Sequence, residues 1–284
     1  MSTSKQEMAF FPGCSLATSA RENYDSLQAF CRYLGYELKE VEDWNCCGTS
    51  SAHAVNSELA FDLACRDLAL MHRFDQVLVA CPSCYKRLQH TFHLLTTNSQ
   101  LRTIFEKKWK TTFNPHLRLL PFLRFLAQQD LTSHYGHAFH SLQGLRVVSY
   151  YGCMLSYPPN MNKDPQLYGI MEKIMKELGA EPIMWSHSLK CCGTFLSVAR
   201  PDIATPLVND IFSAAIKVGA QCLVTACSMC HLNLEVRCTI RPALPVFHFS
   251  ELLALALGSG PEKDWFNRHL YDPRPLLRSI GFYA

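Results

Sequence analysis

Asn45-Cys46-Cys47-Gly48-Thr49 recurs as Lys190-Cys191-Cys192-Gly193-Thr194, and the reading of this repeated stretch decides the fold. Adjacent cysteines do not easily bond each other, because an unstrained disulfide needs a wider Cα separation than neighbouring residues provide. They are well placed to offer two thiolates to one inorganic centre. Three further cysteines flank each pair at matching distances. Cys14 precedes the first pair and Cys81-Pro-Ser-Cys84 follows it, while Cys153 precedes the second and Cys227-Ser-Met-Cys230 follows it. Ten of the 14 cysteines thus fall into two sets of five, one in each half of the chain. Thiolates are the ligands that iron–sulfur centres prefer, so the pattern reads as two such sites facing each other across an internal repeat.

Working outward from the repeat, each half shows the same order of elements. In the first, Met8–Phe11 reads as a strand leading to Cys14, residues 20–34 as a helix, and 36–41 as a strand. Residues 57–73 read as a helix capped by Asn56, and Asp75–Ala80 as a buried strand running into Cys81. Pro82 opens a helix over 83–96, a helical stretch covers 99–110, and a strand followed by a helix covers 117–126. In the second half, 145–150 is a strand into Cys153, 164–178 a helix, and Glu181–Trp185 a strand. A helix over 202–218, a strand 221–226 into Cys227 and a strand–helix pattern over 244–256 complete it. Strands alternating with helices, the lead cysteines at strand ends, predict an α/β fold: an internal duplication of two pseudo-symmetric α/β halves with parallel sheets. The clusters then belong at the C-terminal strand ends near the interface. The expected division is 1–128, a polar and His-rich linker 129–143, 144–259, and a C-terminal tail 260–284.

Composition narrows the function. Of the 284 residues, 48% are hydrophobic, enough for a substantial core, and only 18% are charged, which points to surface buried against partners. The net charge of +3 carries no basic stripe, so no nucleic acid is expected. No apolar run reaches the roughly 18 residues of a membrane span, so no transmembrane segment is expected. The N-terminal Met1–Glu7 lacks an export-signal core, which makes the expected location cytoplasmic and the cysteines reduced or metal-bound. No G-x-G-x-x-G or P-loop pattern occurs, which disfavours a nucleotide or flavin site on this chain.

Five cysteines in order, twice, with glycine after each vicinal pair, resemble the CCG-domain family, whose best-known member is the catalytic subunit of heterodisulfide reductase. The resemblance spans roughly 8–258. It implies a noncubane 4Fe–4S cluster on Cys14, Cys46, Cys47, Cys81 and Cys84, and another on Cys153, Cys191, Cys192, Cys227 and Cys230. It further implies electron transfer to or from a disulfide/dithiol substrate between the two clusters, the protein supplying position and desolvation. Related proteins serve in succinate dehydrogenases and fumarate reductases, so the alternative is an electron-transfer subunit of a quinone-linked complex, and a lipoate-type substrate also stays open. The chain lacks the ferredoxin run of closely spaced cysteines, so the expected partners are a small ferredoxin-like subunit with cubane 4Fe–4S clusters and a flavoprotein subunit. Zinc is the rival metal, although its four-cysteine sites usually pair two Cys-x-x-Cys knuckles and each set here has one.

Beyond the ten ligands, His187, Lys190 and His231 stand close in sequence to the second set and are the candidate proton donors or charge partners. Cys31, Cys65, Cys222 and Cys238 lie off the motif and read as buried free thiols. His134, His137 and His140 read as solvated linker histidines. Trp265-Phe266 and Leu276–Tyr283 read either as an interfacial anchor or as a packed tail.

Overall fold

Eight short strands fall into two four-stranded sheets of identical topology. β1 (Gln6–Phe11), β2 (Tyr36–Glu40), β3 (Gln76–Val79) and β4 (Arg118–Pro121) stand in the order β2-β1-β3-β4. β5 (Arg146–Tyr150), β6 (Glu181–Pro182), β7 (Cys222–Thr225) and β8 (Val246–His248) stand in the order β6-β5-β7-β8. Every pairing is parallel. The computed structural model describes residues 6–137, 139–156, 167–259 and 265–282.

Period-two alternation shares the apolar side chains of the inner strands between two cores, while the edge strands β2 and β6 keep charged residues exposed. Phe10 and Leu78 point into a core shared by both halves, while Phe11, Val77 and Val79 point into an outer core of the first half. In the second half Val147, Cys222 and Val224 face the shared core, and Val148 and Leu223 an outer one. Sheets buried on both faces need such sequences, which accounts for much of the low charge content. The shared core is built by swapped helices. Arg21–Tyr33 of the first half packs against Phe249–Ala256 of the second, and Phe122–Ala127 packs against Ile170–Glu177. Phe122 and Phe249, each the residue after the last strand of its half, meet with ring centroids 5.2 Å apart. A pseudo-twofold axis therefore passes between them.

The predicted α/β duplication and its helices are present, with Asn56 accepting from the backbone N–H of Glu58 and Leu59 as the expected cap. Two expectations change. The strand predicted over Glu181–Trp185 shrinks to Glu181–Pro182. Proline offers the edge no N–H, and the chain then leaves the ladder so that the Trp185 indole donates to Ser149 O at 2.9 Å. The helix predicted over 164–178 runs from Ile170 to Glu177, because Gly169 before it adopts a left-handed φ of 91°; residues 164–166 lie outside the described residues. The linker is anchored and not a free tether: Leu131 and Leu142 are buried and the Tyr135 hydroxyl donates to Glu177 O, while His137 and His140 are exposed. The tail is packed. Trp265, Phe266 and Leu277 are buried in the shared core, which leaves the Trp265-Phe266 pair no free face for an interfacial anchor; Tyr283 lies outside the described residues. No described helix is long and apolar enough to cross a membrane.

Candidate metal centre

In each sheet the strand order reverses direction between the first and third strands, β1 and β3 or β5 and β7. Such a switch point opens a crevice beyond the strands' C-terminal ends, where α/β proteins bind ligands. Cys14 follows β1 and Cys81 follows β3, while Cys153 follows β5 and Cys227 follows β7. Cys14 and Cys153 each sit in a short helical turn, Cys14–Ala17 and Gly152–Ser156. The second cysteine of each Cys-x-x-Cys rides in the first turn of the following helix, Pro82–Thr97 or Ser228–Arg237.

The vicinal pairs arrive from the other side, held by matching bonds. Thr49 donates to Ser83 O and Thr194 to Met229 O, both at 3.2 Å. Gly48 and Gly193, with φ of 75° each, press against Ala60 and Ala204 of the helices that follow. The Cys46 carbonyl accepts from Asn45 Nδ2 and the Cys192 carbonyl from Asn233 Nδ2. The sulfurs converge as a result. Cys14 and Cys46 Sγ are 3.6 Å apart and Cys47 and Cys84 Sγ 3.2 Å; Cys153 and Cys191 Sγ are 3.7 Å apart and Cys192 and Cys230 Sγ 3.6 Å. Cys81 and Cys227 touch across the pseudo-twofold axis, so the two quintets are neighbours. The Cys14 turn leans on the helix that carries Cys230, and the Cys153 turn on the helix that carries Cys84.

Five crowded thiols cannot all ionise without a counter-charge. In the first set Cys46, approached by Cys14 and Cys47, is held down at about 2 while Cys14 is pushed far up by the same contact. In the second, Cys191 is lowered to about 6 by Cys153. A cationic centre would satisfy every thiolate at once. The surroundings also leave room for one. A Cβ on Gly13 would stand 2.8 Å from Cys84 Sγ and one on Gly152 3.2 Å from Cys230 Sγ, both at positive φ. A pocket lined by Cys14, Cys46, Cys47, Cys81 and Cys84 is closed partly by Met229 of the other half. Five converging thiolates exceed the four that zinc takes and fit an iron–sulfur group.

The remaining candidates are placed differently. His187 and Lys190 meet on Asp210: His187 Nε2 lies 3.1 Å from its carboxylate and Lys190 pairs with the same oxygen. This group sits beside exposed Cys191. His231 turns away from the sulfurs. It is buried and its Nδ1 lies 3.1 Å from Asn23 Oδ1 of the first half. Cys31, Cys65, Cys222 and Cys238 are buried as expected, and burial raises the Cys65 thiol to about 12. Sequence reasoning missed Asp67, a buried acid that accepts from Asn45 N at 2.9 Å, and Tyr150, whose hydroxyl donates to Lys190 O. It also missed Glu235, Glu251 and His269. Glu235 one turn after His231 was a readable signal, whereas His269 comes from a tail with no pattern.

The fold and the two quintets define a duplicated, thiolate-rich α/β protein of the iron–sulfur class. The cysteine-rich CCG domain matches at residues 8–89 and again at 147–235, and the chain belongs to that family. It is 29% identical to the 8-methylmenaquinol:fumarate reductase membrane anchor subunit of Wolinella succinogenes, over 96% of this chain and 99% of that one. It is 25% identical to a heterodisulfide reductase subunit-like protein of Archaeoglobus profundus, over 89% and 91%. In fold it resembles the crystal structure of a hypothetical protein from Helicobacter pylori, with a TM-score of 0.71 at 10% identity; the match covers 94% of this chain and 52% of that one.

Proposed function

We propose that this protein is the iron–sulfur subunit of a multi-subunit oxidoreductase, with one noncubane 4Fe–4S cluster on each cysteine quintet. The observation that supports this reading is the convergence of sulfurs in each half: Cys14 with Cys46 and Cys47 with Cys84 in the first, Cys153 with Cys191 and Cys192 with Cys230 in the second. The clusters, when bound, supply one-electron chemistry. The protein's own part is to hold ten thiolates at fixed spacing, to bury Cys47, Cys81, Cys84, Cys192, Cys227 and Cys230 from water, and to leave Cys191 open.

Two redox substrates fit, and separate observations favour each. A quinone is favoured by the full-length likeness to a menaquinol:fumarate reductase subunit and by the exposed Leu189, Phe195 and Leu196 that flank Cys191 and Cys192. An isoprenoid quinone needs such apolar contact. A disulfide is favoured by the paired quintets and by the heterodisulfide reductase-like relative. We put the quinone first, with a ferredoxin-like subunit and a flavoprotein as partners and a cytoplasmic location. His187 and Lys190, at the Cys191 mouth, are proposed to carry protons or bind a substrate oxygen there. The test is reoxidation of the anaerobically reduced protein by a menaquinone analogue, a heterodisulfide and lipoamide side by side. Fastest reoxidation by the quinone supports the first choice, and reoxidation by the disulfide alone replaces it with the second.

A further inference from the structure

Three buried side-chain atoms outside the quintets face one another with no hydrogen-bond partner: His231 Nε2, His269 Nδ1 and Glu235 Oε1. His231 and Glu235 lie one turn apart on the helix Ser228–Arg237, and His269 comes from the C-terminal tail. Glu235 Oε1 is 3.6 Å from His231 Nε2 and 3.1 Å from His269 Nδ1. The opposite atom of each group is already engaged. His231 Nδ1 is 3.1 Å from Asn23 Oδ1, His269 Nε2 is 2.8 Å from Glu251 Oε1, and Glu235 Oε2 accepts from Leu270 N at 3.0 Å.

Amide and carboxylate oxygens only accept, so His231 Nδ1 and His269 Nε2 donate, and His231 Nε2 and His269 Nδ1 are left on the side of Glu235. Glu251 and Glu235 raise the His269 imidazole to about 10, so the proton on its Nδ1 is the one that a metal ion would displace. The His269–Glu235 approach is close yet misaligned for an N–H donor, since neither atom counts as hydrogen-bonded. A tetrahedral ion with ligands at about 2.0–2.1 Å separates them by about 3.3 Å, between the two distances observed. The charges agree. Glu22, Glu235 and Glu251 are buried carboxylates, at 5%, 4% and 0% exposure; burial pushes the Glu22 carboxyl, 3.8 Å from His231 Nδ1, above its usual range, and a divalent cation would offset the other two. Glu251 takes its place behind His269, with its other oxygen accepting from His248 N; His231, Glu251 and His269 together bring ligand atoms within 4.8 Å of one another.

We propose that His231 Nε2, His269 Nδ1 and Glu235 Oε1 bind one zinc ion, with Glu251 and Asn23 orienting the two imidazoles from behind. The ion fastens the tail to the helix that carries Cys230 and, through Asn23, to the first half. The site is separate from the iron–sulfur reading, because metal analysis counts iron and zinc independently.

The test uses anaerobically purified, iron-loaded protein dialysed against zinc. The expected result is about one zinc per chain with a nitrogen/oxygen shell at about 2.0–2.1 Å and no sulfur at about 2.3 Å in zinc-edge X-ray absorption. His269→Ala and Glu235→Gln should each lower bound zinc at least about tenfold with iron unchanged, and Glu251→Gln should weaken zinc affinity by about 10–100-fold. Should His269→Ala fail to fold, Glu235→Gln keeps the volume and carries the test. Full iron with no zinc, a sulfur shell, or zinc unchanged in Glu235→Gln would overturn the proposal.

Discussion

The two quintets share a skeleton and differ in their rims. Ser15 and Ser50 follow the first set's cysteines where Met154 and Phe195 follow the second's, and Met229, at the place of Ser83, reaches across to the first set's pocket. Beneath them the helices diverge too. Six residues beyond Ala60 and Ala204, which press on the paired glycines, the first half has Arg66 and then Asp67, the second Asp210 and then Ile211. Arg66 reaches Asn45 at 2.8 Å, while Asp210 holds Lys190, the residue at the same place before its Cys-Cys-Gly. The helix presents a cation to a neutral amide in the first half and an anion to a lysine in the second, and the buried acid stands in the first half alone. The arrangement of the sulfurs is what the two halves share. The rims differ, with serines beside the first quintet and Met154 and Phe195 beside the second.

The largest effect expected from breaking this comparison is steric. Gly13→Ala puts a Cβ 2.8 Å from Cys84 Sγ, in a backbone conformation (φ 78°, ψ 160°) that also costs an L-residue about 1–3 kcal/mol. It should lose most of the first half's iron, whereas Gly152→Ala, at 3.2 Å from Cys230 Sγ, should lose visibly less. Iron analysis of the two purified variants checks the order.

Next is Asp67. Burial raises its carboxyl from 3.8 to about 8 against the pull of Asn45 N–H. A folded-state pKa above the unfolded one means stability that is intact at low pH and is lost as pH climbs through that window. Asp67→Asn should therefore match the wild type near pH 4. It should gain on it by up to about 1.4 kcal/mol per pH unit towards pH 8, read from anaerobic unfolding curves. A constant difference across that range would show that the acid does not titrate with folding.

The rims come third. Phe195→Ser should raise the KM for a quinone about tenfold, the scale of one lost aromatic contact, and leave disulfide reoxidation alone. Ser50→Phe in the first half should change neither. Smallest is Lys190→Gln, whose cation is partly exposed and paired with Asp210. It should lower the reduction potential of the second centre slightly, because a negative centre loses a nearby positive charge, and potentiometric titration would show the direction.

Much of this was legible before any coordinates. Strand ends carrying Cys14, Cys81, Cys153 and Cys227 follow from apolar runs meeting cysteine, and the parallel sheets follow from strand–helix alternation. What escaped depends on contacts between residues far apart. His231 looked like a cluster neighbour because it adjoins Cys230, but a helical residue next to a ligand points some 100° away from it. Here that direction leads to Asn23 and Glu235. Trp265 and Phe266 admit either an interfacial anchor or a packed tail, and only the shared core decides between them. Asp67 is unremarkable in an amphipathic helix until Asn45 N–H meets it.

The central claim, one independent iron centre per quintet, is tested most directly by iron and sulfide counts on Cys47→Ala, Cys192→Ala and the double variant, all prepared anaerobically. Wild type should hold about eight irons, each single variant about half as many, and the double variant almost none. Iron near zero in the wild type with zinc in its place, or a single substitution that empties both halves, would contradict the account.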